Sequence, residues 1–169
     1  MLSMPHHLTT SNLTLATLQP DDVDFIFELV NMPGWIAFIG NRNIHTNDDA
    51  LKYIDRILVS PGIHYYTVRL KEDNTPIGLV TFIKRDNLDY PDLGFAFLQR
   101  YAGKGYAYEG AQAVLNDLIA SKKYPRILAT TVPENIRSIN LLQRLGFTFQ
   151  NNISDAHEIL SLYGFDIES

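Results

Sequence analysis

Hydrophobic residues along this chain switch between two periods, and the switches divide it into elements. Leu13-Thr14-Leu15-Ala16-Thr17-Leu18 alternates with period two and predicts a strand. Pro20-Asp21-Asp22 then opens a helix with acids in its first turn, and Val23, Ile26, Phe27 and Val30 share one face of it. Asn31-Met32-Pro33-Gly34 breaks that helix, and residues 35–39 are short and apolar, suited to a single helical turn. Thr46 to Asp49 has the spacing of a capping box, with Asp in place of Glu, and Leu51, Ile54 and Leu58 supply the apolar stripe of the helix that follows. Residues 63–70, 77–84 and 93–98 read as three strands joined by short polar connections, which predicts an antiparallel meander. Residues 105–121 return to the helical period, with Ala107, Ala111, Val114, Leu115 and Leu118 on one face. Residues 127–132 form another strand. A helix separates it from 93–98, so these two strands are expected to run parallel. A helix over 135–145 is stopped by Gly146, and 147–150 with 158–165 can close the sheet as a hairpin. With no internal repeat or linker, the order predicts one α/β domain over residues 1–169, a mixed and mostly antiparallel sheet flanked by helices.

Composition narrows the classes of function. Hydrophobic residues make up 46% and charged residues 20% of the 169, an ordinary globular balance. No apolar run approaches the roughly 18 residues that span a bilayer. Residues 1–10 lack the basic flank and apolar core of a leader. A cytoplasmic location and no membrane partner are therefore expected. Cysteine is absent, which excludes a disulfide framework, a thiol nucleophile and a thiolate metal site. His45, His64 and His157 are isolated and lack metal-ligand spacing, so no metal is expected. The net charge of −5 speaks against nucleic acid as a partner. Its distribution is uneven: seven basic residues oppose three acidic ones between Arg100 and Arg144, a local +4 that leaves −9 elsewhere. A polyanionic small ligand would be favoured in that segment.

The same segment holds the most specific motif. After the strand at 93–98 comes Gln99-Arg100-Tyr101-Ala102-Gly103-Lys104-Gly105-Tyr106-Ala107-Tyr108-Glu109, a loop with two glycines opening a helix. Such a junction aims backbone N–H groups and the positive end of a helix dipole at one spot, which suits phosphate. Gly103 and Gly105 would let the backbone approach a pyrophosphate closely. The amides of Gly103, Lys104, Gly105, Tyr106 and Ala107 are the candidate cradle. A plain strand-to-helix turn is the competing reading of the loop alone. A nicotinamide dinucleotide site would want a third glycine where Tyr108 stands, and the meander upstream does not suit it.

Arg100-x-x-Gly103-x-Gly105 resembles the acyl-CoA signature of the GNAT N-acetyltransferases. About thirty residues later, Asn135-x-x-Ser138-x-x-Leu141-Leu142-x-x-Leu145-Gly146-Phe147 resembles the second motif of that family, in its RimJ/RimL-like branch. The order of elements is similar over nearly the whole chain. The resemblance implies a GNAT-like sheet with a splayed parallel central pair, acetyl-CoA as co-substrate, and acetyl transfer by direct attack of a primary amine of a small molecule or protein N-terminus. A non-catalytic acyl-CoA-binding module is the alternative. The implied cofactor contacts are Phe97, Leu98, Arg100, Gly103, Lys104, Gly105, Tyr106, Ala107, Asn135 and Ser138. The implied catalytic residues are Ser138, as proton donor to the departing thiolate, and Asp92, as base. Each also has a plainer reading: Asn135 as a helix N-cap, Ser138 as an idle helical serine, Asp92 as a solvated strand-end acid. Glu109, in the first turn of the glycine-loop helix, reads as a favourable partner of that helix's dipole rather than a base. Many relatives carry a tyrosine acid where this chain has Leu142. Trp35, Phe38 and the 85–91 connection are candidates for the acceptor wall. Tyr163 and Phe165 pack either internally or at the interface of a homodimer.

Overall fold

A computed structural model describes residues 7–167. It has one eight-stranded sheet in the order β1-β2-β3-β4-β5-β6-β8-β7. The strands are β1 (His7–Thr9), β2 (Leu13–Thr17), β3 (Ile63–Leu70), β4 (Pro76–Ile83), β5 (Asp92–Phe97), β6 (Arg126–Thr131), β7 (Thr148–Asp155) and β8 (Glu158–Asp166). The helices are α1 (Val23–Val30), α2 (Pro33–Phe38), α3 (Asn47–Val59), α4 (Tyr106–Ser121) and α5 (Ile136–Leu145). All pairings are antiparallel except β5 with β6, which is parallel as expected.

Two apolar cores form on opposite faces of the sheet. Inward residues of β2, β3 and β4 such as Leu15, Tyr66 and Val80 meet Val114, Leu115 and Leu118 of α4 and Leu142 of α5. On the other face, Leu79 packs with Phe25, Ile26 and Leu29 of α1 and Tyr53 and Ile54 of α3. The period-two alternation of the strands therefore has a helix layer to satisfy each parity. The Thr46 capping box forms as its spacing requires: Thr46 Oγ1 accepts from Asp49 N at 3.0 Å, and Asp49 Oδ2 accepts from Thr46 N at 3.2 Å.

Three elements differ from the sequence reading. The buried stripe of α3 is Ala50, Tyr53, Ile54 and Ile57, whereas Leu51 and Leu58 are 37% and 41% exposed. A tyrosine and an alanine complete the inward face, and the two leucines flank it. Strand β1 was not expected, since three residues at a sheet edge carry too little pattern to register. Strand β7 runs to Asp155 rather than residue 150. It is an exposed edge strand, so its Gln150-Asn151-Asn152-Ile153-Ser154 stretch needs no apolar alternation. Tyr163 and Phe165 pack internally, edge-on to Phe149 at 5.7 Å and tilted against Phe147 at 5.5 Å between ring centroids.

Candidate functional site

Strands β5 and β6 touch at only one register pair, Asp92 with Leu128, beside which Leu128 N donates to Pro91 O at 2.9 Å. Beyond it the strands diverge, and β5 keeps a ladder on its β4 side alone. The gap continues into a cleft of about 1030 Å³. Its walls include β5, the glycine loop, the start of α5 and, at the far end, α2 and the β7–β8 hairpin.

The loop closes one end of this cleft. Gly103 and Gly105 adopt φ of +79° and +84°, a region that side chains with a Cβ rarely adopt, and a Cβ at either would meet open space. The glycines therefore answer to backbone geometry and leave the concave side clear. Among the described residues, no group accepts a hydrogen bond from the amides of Gly103, Lys104, Gly105, Tyr106 or Ala107. Five consecutive free donors at the N-terminus of a 16-residue helix are a geometry suited to an anion. Arg137 and Arg144 also line the cleft, and Arg144 lies 4.0 Å over the Tyr108 ring. Lys104 and Arg144 border a smaller depression on the outer side of the loop.

The other expected cofactor residues fall in different places. Phe97 lines the cleft, and its ring occupies the space that a Cβ on Gly78 would fill. Leu98 is 1% exposed, its amide donates to Ile77 O at 2.9 Å and its carbonyl accepts from Tyr101 N at 3.0 Å, so it anchors the turn. Arg100 is directed to Glu28 and stacks near Tyr101, outside the cleft lining. Asn135 and Ser138 both line the cleft. Asn135 Oδ1 accepts from Ser138 N at 3.2 Å, an N-cap for α5 that leaves the carboxamide NH₂ without a protein partner among the described residues.

Asp92 is not a solvated strand-end acid. It is 4% exposed and accepts from Arg85 Nε at 2.9 Å. Its place at the one point where β5 and β6 meet puts it under the sheet rather than at an open end. Burial raises its carboxyl above the ordinary 3.8, with Arg85 and the Thr130 hydroxyl acting in the opposite direction. Glu109 is more than a partner of the helix dipole. It accepts from Asn12 N and Asn12 Nδ2, each at 2.9 Å, and from the Thr10 hydroxyl, which ties the β1–β2 turn to α4. Leu142 is 1% exposed, packed in the core at the floor of the cleft, and an apolar side chain there supplies no acid.

Sequence reasoning missed several cleft groups. Register places Tyr65, Thr81 and Gly94 in one row across β3, β4 and β5, and Asp92 shares their face. Thr81 and Tyr65 line the cleft. The Thr81 hydroxyl lies 2.6 Å from where a Gly94 Cβ would stand and has no hydrogen bond to a described residue. Tyr65 OH lies 3.4 Å from Tyr53 OH, and burial, ahead of that neighbour, pushes its phenol far up, which keeps it protonated. Strand pattern alone marks such residues as β-formers; only the register shows which face of the cleft they share. Among the described residues no group of His, Asp or Glu could hold a metal ion, and no helix is long and apolar enough to cross a membrane.

Comparison with known proteins adds three findings. Residues 12–148 match the acetyltransferase (GNAT) domain family. An uncharacterized N-acetyltransferase of Bacillus subtilis, YnaD, is 27% identical over 140 residues, covering 83% of this chain and 81% of its own. The [ribosomal protein uS5]-alanine N-acetyltransferase of Escherichia coli is 29% identical over 93 residues, 54% of this chain and 48% of its own. In three dimensions the ribosomal alpha-N-protein acetyltransferase RimL, solved in complex with coenzyme A, superposes with a TM-score of 0.75 at 13% identity, covering 94% of this chain and 96% of its own.

Proposed function

The chain belongs to the GNAT acetyltransferase family, with relatives in the RimJ/RimL branch, and from that premise we propose that it moves an acetyl group from acetyl-CoA to a primary amine of a small molecule or protein N-terminus. The observation that carries this reading is the run of five unengaged amides from Gly103 to Ala107 at the mouth of a splayed parallel pair. Those amides would hold the pyrophosphate, with Lys104, Arg137 and Arg144 supplying positive charge nearby. The open edge of β5 has main-chain groups to pair with an extended arm, as an added strand would. The Asn135 NH₂ is free to donate to the same arm. When bound, acetyl-CoA supplies an activated thioester. The side chains then have only protons to manage. Asp92, buried and of raised basicity, accepts the proton of the incoming ammonium, directly or through water held by Thr81. The Ser138 hydroxyl, whose amide is fixed by Asn135, protonates the departing sulfur. A chain without cysteine has no need of an acetyl-enzyme, which agrees with direct attack.

The buried Leu142 favours a second reading, in which the fold holds acyl-CoA without efficient transfer. Thermal shifts with acetyl-CoA, CoA and NAD in parallel test the first step. A ligand at 100 times its dissociation constant adds about 2.7 kcal/mol, so a rise of several degrees with acetyl-CoA and none with NAD is expected. No shift with either CoA species would sink the cradle. Turnover over a panel of amines and peptide N-termini then separates transfer from holding.

A further inference from the structure

The acceptor end of the cleft carries positive charge that the fold does not use. Arg42, in the connection between α2 and α3, lines the cleft and makes neither a hydrogen bond nor an ion pair with any described residue. Arg85, from the β4–β5 connection, also lines it and meets Asp92 through Nε alone, at 2.9 Å. Both terminal NH₂ groups of Arg85 are therefore without a partner among the described residues.

Two groups on the sheet tie these arginines to one place. Burial above all raises the proton affinity of the Tyr65 hydroxyl, and the two cations that act on it in the opposite direction are Arg42 and Arg85. The Thr81 hydroxyl, on the neighbouring strand of the same row, has no hydrogen bond to a described residue. A protonated phenol, a free hydroxyl and two guanidinium forks thus offer donors to one part of the cleft. The carboxylate beside them, Asp92, already accepts from Arg85 Nε. Glu134, Asp155 and Glu158 line the cleft from the β6–β8 side of the splay, and none of them pairs with either arginine. Oxyanions match guanidinium forks. A carboxylate has two oxygens and fills one fork. A phosphoryl or phosphonyl group has three terminal oxygens and more charge, and it can present an edge to each of two forks.

We propose that Arg42 and Arg85 form an oxyanion subsite for the acceptor, so that the amine acetylated here carries a phosphate or phosphonate at the end remote from its nitrogen. The inference rests on the acetyl-transfer reading and gives it a substrate class. The nitrogen goes to Asp92 and the anion to the two forks. Because Arg85 touches both places, a short spacer joins them. Trp35, Phe38 and Ile39 line the same end of the cleft, and the latter two, 40% and 42% exposed, give that spacer an apolar surface. A plain alkylamine leaves both forks to water.

Three amines with a two-carbon spacer test the subsite: 2-aminoethylphosphonate, β-alanine and propylamine, which end in a phosphonate, a carboxylate and a methyl group. At saturating acetyl-CoA, kcat/KM is expected to be about tenfold or more higher for the phosphonate than for propylamine, with β-alanine between them. Arg42→Ala should lower kcat/KM for the phosphonate about tenfold more than for propylamine, the factor for one charge-assisted contact. Arg42→Lys keeps the charge without the fork and should restore only part of the difference. Arg42 is exposed, so both variants should melt with the parent protein. Isothermal titration of 2-aminoethylphosphonate into the CoA complex reads the same contact without turnover, and Arg42→Ala should weaken it by the same factor. No preference for the phosphonate over propylamine, or a preference that survives Arg42→Ala, overturns the subsite. A preference for β-alanine over the phosphonate overturns the choice of phosphoryl chemistry. Absence of any thermal shift with acetyl-CoA overturns the reading beneath, and the inference falls with it.

Discussion

Asp92 shows how one carboxylate can be costly to the fold and useful to the site. Burial raises its proton affinity, so the folded state binds that proton more tightly than the unfolded chain. This contribution to stability is full below the ordinary 3.8 and is lost as pH rises through the raised value. Asp92→Asn should therefore gain stability over the parent protein as pH rises across that window, measured as melting temperature against pH. If Asp92 is the base, the ascending limb of the pH–rate profile lies above the ordinary carboxylate range. Arg85→Gln should move it higher still, because Arg85 is the charge that restrains it; a limb that stays put in that variant would remove Asp92 from catalysis. Leu142 offers the converse case. Leu142→Tyr, which restores the family's tyrosine in sequence, should destabilise by about 1–3 kcal/mol through overpacking and leave kcat no higher.

At the scale of elements, the Glu109 clamp ties the N-terminal turn to α4. Burial opposes its ionisation, but the bonds from Asn12 and Thr10 outweigh it and hold the carboxyl below the ordinary 4.5. The stability it lends is present above that value and lost as pH falls through the depressed one. Glu109→Gln should cost about 1–2 kcal/mol at pH 7, and the difference from the parent should shrink in acid, read from denaturant midpoints. Nothing in the sequence pointed to this pairing, since residues 12 and 109 meet only across the finished fold. Elements written in periodicity or local chemistry were legible: the Thr46 box, the glycine loop, the Gly146 stop and the parallel pair implied by an intervening helix. Elements defined by what they lack were not. Strand β7 is polar because water covers it, and α3 leaves Leu51 half out because Ala50, Tyr53, Ile54 and Ile57 already form the face packed with α1. The bend of the glycine loop was legible because positive-φ backbone shape is what glycine spacing encodes. Asp92, Thr81, Tyr65 and Trp35 converge from four segments, and only register and packing place them together.

For the whole molecule, the uneven charge seen in the sequence becomes spatial: Lys104 and Arg144 border the loop and Arg137 lines the cleft of an acidic protein. The loop offers a clean comparison. A Cβ at Gly105 meets nothing, so Gly105→Ala carries only the left-handed backbone strain of about 1–2 kcal/mol and should still respond to acetyl-CoA in a thermal shift. Gly105→Glu adds a negative charge at the cradle and should abolish the response at similar stability. Equal behaviour of the two variants would mean that the amides do not hold the phosphates.

The lone bridge between Asp92 and Leu128 also has a bearing on how the chain is made. From β1 to β5 every strand lies beside its predecessor in sequence, so this five-stranded leaf is topologically complete before α4 begins. The second leaf, β6 to β8, follows only after α4 has crossed the sheet, and its backbone ladder meets the first at one register pair. The opening proposed to receive acetyl-CoA is thus a seam between two topological halves of the sheet, one that the backbone leaves for another molecule to bridge.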